Sequence, residues 1–566
     1  MSPTQRESAS ASYVRGNFSE PLLDRTIGAY FDQATDRWAD GEALVSCHQS
    51  IRWRYCDLRE GADAFALGLL ALGLEPGERI AVWSPNCAEW AVAQYGAAKA
   101  GLILVGINPA YRAAELEYAL NKVEAAAIVL PATTSRRNFW PMLRELAPQV
   151  ELPGQQEATT VPSLRIAIGI GEATEPGLTS FARLIAKGAR EDSARLGYIA
   201  ARQRHGDPAL IQFTSGTTGP PKAATLSHFN VINAASFGAE RLGITSSDRI
   251  CIPVPLFHSF GMIGGNLLAL GRGATAIYPG AAFDPGATLA AVVAERCTVV
   301  YGVPAMFGAE MNHPSFTEYD LQTLRTGIIA GAPCPAHLMQ RIMRDMHIPE
   351  LVTAFGMSET SAAGLATARD DPLERRTRTV GRVTAHTEIK VIDDQGVVVP
   401  RGTVGELCTR GFAVMSGYWN DPEATAEAID GAGWMHTGDL VALDDAGYGT
   451  VFGRSSDVVN RGGEKILPGE IESFLLGHPA VEAVQVFGIP DEKRGEELCA
   501  WIKLKPGQEA TPEQIRSFCR GKIANFKIPR HIRFVDAFPM TVTGKVQKYM
   551  IKAEMRAKPD QFADRA

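Results

Sequence analysis

Phe213-Thr214-Ser215-Gly216-Thr217-Thr218-Gly219-Pro220-Pro221-Lys222 follows the apolar run Ala209-Leu210-Ile211-Gln212-Phe213. The apolar run reads as a buried strand. Behind it, a turn of glycines and hydroxyl residues can aim backbone N–H groups and hydroxyls at a polyanion, and Lys222 adds a compact positive charge. The pattern is a phosphate cradle, but not a P-loop. A P-loop carries glycine before the lysine and Ser or Thr after it; here Pro221 precedes Lys222 and Ala223 follows. The loop is therefore expected to act as a mobile flap and not to open a helix.

The chain around this stretch has 566 residues, too many for one hydrophobic core, so at least two domains are expected. Its 45% hydrophobic and 21% charged content is that of a globular protein. The net charge of −7 gives no basic footprint for nucleic acid. Nine scattered cysteines with no Cys-x-x-Cys pair fit reduced cytosolic thiols better than a disulfide frame or a zinc site. The polar, Ser-rich segment from Met1 to Gly16 is not expected to be a secretory signal, and the acidic residues soon after it disfavour the alternative of a weak transit peptide. The best apolar run, Ala64 to Leu74, is broken by Gly68 and Gly73, so no transmembrane segment is expected and a cytoplasmic location is.

Upstream of the loop, helical and strand patterns alternate. Helices are expected at Leu58 to Leu74, Ala88 to Gly101 and Arg112 to Glu124, and strands at Ile80 to Trp83, Leu102 to Ile107 and Ala127 to Leu130. Such alternation implies parallel pairing in layered α/β sheets. Downstream, helices at Ala287 to Arg296 and Ala336 to Met346 alternate with strands at Thr298 to Tyr301 and Leu351 to Phe355. From about 380 to 452 helices are scarce, and turns such as Asp393-Asp394-Gln395-Gly396 suggest an antiparallel β-rich subdomain. Past Gly453-Arg454-Ser455-Ser456-Asp457 a compact α+β unit begins. The expected division is 1–455 for a large N-terminal domain of layered α/β sheets plus the β-rich subdomain, and 456–566 for a small mobile C-terminal domain.

Residues 213–222 resemble the phosphate-loop signature of the adenylate-forming superfamily, which includes acyl-CoA synthetases, amino-acid adenylation domains and luciferases. Further motifs follow in that family's order, and the resemblance covers about residues 25 to 555. It implies binding of ATP by Thr214, Ser215, Gly216, Thr217, Thr218, Gly219 and Lys222. Gly331-Ala332-Pro333 and Ala354-Phe355-Gly356-Met357-Ser358-Glu359 resemble the adenine pocket and the segment after it, with Phe355 as a stacking face and Glu359 as the Mg²⁺ ligand, a hard oxygen donor suited to that ion. Thr437-Gly438-Asp439 matches the motif whose aspartate accepts both ribose hydroxyls, supported by Arg454. Lys545, within Thr541-Val542-Thr543-Gly544-Lys545, takes the place of the adenylation lysine, carried on a domain that family members rotate between two poses.

In the second pose, Gly462 and Gly463 would let the backbone approach coenzyme A closely, and Lys465 or Arg461 could meet its phosphates. His258, in Pro255-Leu256-Phe257-His258-Ser259-Phe260-Gly261, stands at the acyl site; an ionised carboxylate needs no base, so a pocket or gate role is expected. The segments Met262 to Leu268 and Gly302 to Met306 and the region of Ala330 are apolar, which favours a fatty acyl group over an amino acid. Two departures stand out: Ala223 replaces the usual Gly after the loop lysine, and Ser456 occupies the hinge position.

The resemblance is nearest to medium-chain fatty acyl-CoA synthetases. It implies an AMP-forming ligase with a small-molecule carboxylic acid, ATP, Mg²⁺ and coenzyme A as partners, and leaves a homodimer open. Transfer to a carrier-protein pantetheine, a branched or aromatic acid substrate, and a non-catalytic nucleotide binder are the competing readings.

Overall fold

The computed structural model describes residues 10–132, 139–151, 159–173, 175–214, 220–332, 334–491, 493–540 and 546–557. Its strands form four sheets among these residues. Alternating helices and strands give the first two. In the eight-stranded sheet, Arg79–Val82, Ile103–Gly106, Ala127–Pro131, Ile166–Ile170 and Leu178–Ser180 pair in parallel. Its other end is the hairpin Pro208–Thr214 and Lys222–Ser227, with Gly417–Tyr418 added outside it. A nine-stranded sheet is built around parallel strands that include Arg249–Cys251, Val299–Gly302, Thr326–Ala330 and Glu350–Gly356.

The helix Ala88–Lys99 contacts strands of both sheets. All its residues except Glu89 are buried, so it shows no polar face. Buried Lys99 is held by Asp32, 2.5 Å away, and by Asp63. Gly68, which interrupts the apolar run Ala64 to Leu74, serves a helix crossing: a Cβ there would lie 2.7 Å from the Leu184 carbonyl oxygen. That run belongs to the helix Tyr55–Ala71, and no helix among the described residues is long and apolar enough to cross a membrane.

The β-rich region forms an antiparallel sheet of Thr387–Ile392, Gly405–Gly411, Met435–Leu443 and Gly449–Arg454. Its outer strand, Tyr13–Arg15, comes from the N-terminal segment, which carries no strand signal in the sequence. Tyr13 donates to Glu388, and Arg401 donates to the carbonyls of Ala11 and Tyr13, which fasten that strand.

The fourth sheet contains Val459–Arg461, Glu464–Ile466, Val481–Asp491, Gly495–Leu504 and His531–Phe534. It has its own core around Val486, Leu498, Ala500 and Ile515. The turn Ser455–Asp457 joins it to the β-rich sheet, with Ser455 and Ser456 exposed. Apart from the strand Tyr13–Arg15, the expected helices and strands among the described residues are present, with boundaries shifted by a few residues.

Candidate active site

The phosphate stretch folds as a strand, a loop and a second strand. Thr214 and Lys222 are antiparallel partners, so the lysine enters a strand directly and opens no helix. Ala223 faces Phe213 and is fully buried within that strand. Ser215, Gly216, Thr217, Thr218 and Gly219 lie outside the described residues. The Lys222 ammonium stands 5.0 Å from the centre of the Tyr418 ring, a cation–π distance.

Tyr418 connects that lysine to the next motif. Its hydroxyl donates to Glu359 Oε1 at 3.1 Å. Glu359 sits in the short 3₁₀ turn Ser358–Thr360 that ends the strand Glu350–Gly356, and it is buried. Two neighbours in left-handed conformation, Ser361 and Ala362, reverse the chain there, and the Glu359 carbonyl accepts from Met415 N at 2.8 Å. Burial, followed by the charge and hydrogen bond of Glu359, holds the Tyr418 hydroxyl well above its ordinary value, while the Arg454 charge opposes this. Lys222, Glu359, Tyr418 and Arg454 thus share one electrostatic neighbourhood. A buried carboxylate with one oxygen held by a tyrosine fits a hard cation such as Mg²⁺, which is bound through one or two carboxylates beside phosphate oxygens.

Asp439 and Arg454 are cross-strand partners, and Arg454 Nε lies 2.9 Å from Asp439 Oδ1. The bulged stretch of strand before Asp439 is fixed on three sides. Gly438 adopts φ +69°, which favours glycine. Its N–H donates to Glu406 Oε1 at 3.0 Å, and the Thr437 hydroxyl donates to the Leu407 carbonyl at 2.7 Å while accepting from Asp439 N. Glu406 Oε2 also meets His436 Nδ1 at 3.0 Å.

At the adenine motif, Ala330 pairs with Ala354 at the ends of parallel strands, and Gly331, with φ +84°, and Ala332 follow as exposed residues. Phe355 is half-buried against the core of the β-rich sheet, and Gly356 is exposed. Pro333 lies outside the described residues. Met357 caps the 3₁₀ turn, its N–H donating to Thr360.

His258 caps the helical turn Ser259–Gly261: its Nδ1 accepts from Phe260 N at 3.2 Å. The following segment, Met262–Leu267, is a π-helix, a form frequent at functional sites. Phe260 stacks on Tyr301 with ring centres 5.6 Å apart.

In the C-terminal sheet, Gly462 and Gly463 form the turn between Val459–Arg461 and Glu464–Ile466, with φ +61° and +93° and open space where a Cβ would stand. The structure corrects the expectation for Arg461. It is buried, 2.5 Å from Glu497, and donates to the Phe526 carbonyl at 2.6 Å, so it cannot meet coenzyme A phosphates without breaking the core. Exposed Lys465 pairs with Asp394 of the β-rich region at 2.5 Å. Lys545 lies outside the described residues.

Sequence reading missed Tyr418, Glu406 and His436. The first follows Gly417 in the run Gly405 to Trp419, where nothing but its neighbourhood in space marks it. The helix Pro304–Met311 also buries Glu310, whose side-chain oxygens have no hydrogen-bond partner among the described residues. Burial drives its carboxyl well above the ordinary range.

A family model described as AMP-binding enzyme matches residues 31–419, and one described as AMP-binding enzyme C-terminal domain matches residues 470–545. The chain is 41% identical over 552 residues to the medium-chain acyl-CoA ligase ACSF2, mitochondrial, of Bos taurus, covering 96% of this chain and 90% of that one. The Danio rerio protein of the same name is 41% identical over 555 residues, 97% and 91% of the two chains. Among solved structures, the anthranilate CoA ligase AuaEII in complex with anthranoyl-AMP superposes with a TM-score of 0.83 at 27% identity, covering 94% of this chain and 98% of that one.

Proposed function

The chain belongs to the AMP-binding enzyme family, and from that premise we propose that it joins a medium-chain fatty acid to coenzyme A in two steps. In the first, a carboxylate oxygen attacks the α-phosphorus of ATP, and the bond to pyrophosphate breaks as the acyl adenylate forms. In the second, the thiol of coenzyme A attacks the acyl carbonyl and gives its proton to solvent, and AMP leaves with the electron pair of the anhydride bond. The acid is ionised at neutral pH, so no general base is required. That agrees with the use of His258 Nδ1 as a helix cap.

The observation that carries this reading is the gathering of Lys222, Glu359 and the Asp439–Arg454 pair around Tyr418. Asp439, fixed by Arg454 and the Gly438 bulge, would accept the ribose hydroxyls. Lys222 would meet phosphate oxygens. Glu359 would hold Mg²⁺, which when bound neutralises charge on the departing pyrophosphate. Lys545 would bridge the carboxylate and α-phosphate oxygens.

Residues 456–566 are proposed as a separate mobile domain turning about Ser456. Its own core and the exposed Ser455–Asp457 turn support this. Rotation would withdraw Lys545 and bring Gly462 and Gly463 to the thiol donor. A reducing, cytoplasmic setting is also proposed, supported by nine free cysteines. A homodimer remains the assembly to test by size.

Lys545→Ala tests the two-step, two-pose mechanism. It should abolish acid-dependent exchange of pyrophosphate into ATP while retaining thioester formation from supplied acyl adenylate. Equal loss of both half-reactions would reject the two poses.

A further inference from the structure

His436 lies 28 residues beyond Cys408, outside the spacings used to find metal sites in a sequence, and no Cys-x-x-Cys pair marks the trio it forms with Glu406 and Cys408. The antiparallel sheet brings them together. Cys408 and His436 are direct cross-strand partners, and the bulge beside them lies on the partner strand, where the step from Leu440 to His436 faces the shorter step from Glu406 to Cys408. Residues 406 and 408 share one face of their strand, since side chains alternate. Leu407 between them points into the sheet's main core with Ile389, Val391 and Val441.

One oxygen, one sulfur and one nitrogen of this trio all lie within 4.8 Å of one another. His436 Nδ1 is 3.0 Å from Glu406 Oε2 and 3.7 Å from Cys408 Sγ. A tetrahedral zinc ion with ordinary bond lengths needs ligand edges of about 3.4 Å between nitrogen and oxygen and about 3.6 Å between nitrogen and sulfur. Both observed separations fall within a few tenths of an ångström of those edges, so small side-chain rotations would complete the fit.

We infer that Glu406, Cys408 and His436 form a site for a soft divalent cation of the zinc type, on the face of the β-rich sheet opposite its main core. A thiolate with an imidazole selects a soft or borderline ion over Mg²⁺. The carboxylate and thiolate together balance a charge of two. Glu406 and His436 side chains are 28% and 33% exposed, so an ion can reach the buried sulfur from solvent, and three protein ligands leave a fourth position for water. Two further charges flank the site: Lys390, the strand partner of Cys408, holds its ammonium 4.5 Å from the Trp434 ring centre, and Asp430 adds negative charge.

The site touches the nucleotide motif twice: His436 directly precedes Thr437 in the chain, and Glu406 reaches Gly438. Glu406 binds the Gly438 N–H with its other oxygen, directly before Asp439. A cation drawn to Glu406 would pull on that bulge. This second statement rests on the proposed role of Asp439 in holding ATP; the metal site itself does not.

The test uses the full chain and two probes. Titration with Co²⁺ alone should give a thiolate-to-cobalt charge-transfer band saturating at one equivalent. The band should be lost in Cys408→Ser and weakened and shifted in His436→Gln, with circular dichroism confirming that both variants fold. No such band, or the same band in Cys408→Ser, overturns the site. In the second arm, micromolar Zn²⁺ added to Mg²⁺-supported adenylation should raise the KM for ATP severalfold in the wild type and leave Cys408→Ser unaffected. An unchanged KM in the zinc-loaded wild type overturns the coupling to Asp439.

Discussion

Arg454 and Arg461 stand on either side of the Ser455–Asp457 turn, and each pairs with a buried carboxylate through its Nε, Asp439 at 2.9 Å and Glu497 at 2.5 Å. Their surroundings differ. Arg461 is 8% exposed, donates also to a backbone carbonyl, and its partner draws in Arg494 and Arg530 at 3.4 and 3.8 Å. Arg454 is 34% exposed and acts electrostatically on Tyr418 beside Lys222 and Glu359. An arginine–carboxylate pair is closed in one place and open toward a polar neighbourhood in the other. Pairing alone therefore says nothing about function; the exposure of the cation and the company it keeps do.

The largest effect expected from breaking this contrast is on the closed side. Arg461→Met removes the nearest and most buried of the arginines around Glu497 and should cost about 3–5 kcal/mol. Urea unfolding should show the C-terminal sheet lost first, and adding Glu497→Gln should recover much of the loss. On the open side, Asp439→Asn should lower kcat/KM for ATP about 30- to 100-fold, the equivalent of about 2–3 kcal/mol of charged hydrogen bonding. Its melting temperature should stay near that of the wild type. If Asp439→Asn unfolded the protein as Arg461→Met does, the contrast would fail.

Glu310 sharpens the comparison as a buried carboxyl with no hydrogen-bond partner among the described residues. Its folded pKa is raised by burial. The folded state therefore binds more protons than the unfolded one above the unfolded value of about 4.3. Stability from this group is fully present below that pH and falls as pH rises toward the raised folded value. Glu310→Met should remove the slope and stabilise by about 1–3 kcal/mol at pH 8. Denaturant titrations at pH 5 and pH 8 measure both effects. The smallest change is expected at the exposed Lys465–Asp394 pair, 69% and 87% exposed. Asp394→Asn should leave the melting temperature unaltered within error, since solvent screens such pairs.

Layered α/β sheets, the antiparallel region and the final compact unit were all legible in the sequence because hydrophobic period and turn residues are local signals. Lys222, Glu359, Asp439 and Arg454 stood out as candidates because the short runs that carry them resemble the family's motifs. Tyr418 was not, since its role comes from reaching Glu359 across 59 residues of chain. Glu406, Cys408 and His436 escaped for the same reason, their meeting being set by strand register. The strand Tyr13–Arg15 lies in a polar segment and is defined by pairing with Glu388, Ile389 and Lys390. Arg461 was not legible as a buried residue, since its burial depends on Glu497, which no local pattern reveals.

The most direct measurement is thioester formation from ATP and coenzyme A across straight-chain acids from acetate to palmitate, with branched and aromatic members, following AMP and pyrophosphate together. Thioester should appear in step with both products and peak at medium chain lengths. Pyrophosphate release without thioester would contradict the ligase assignment and make coenzyme A the wrong acceptor.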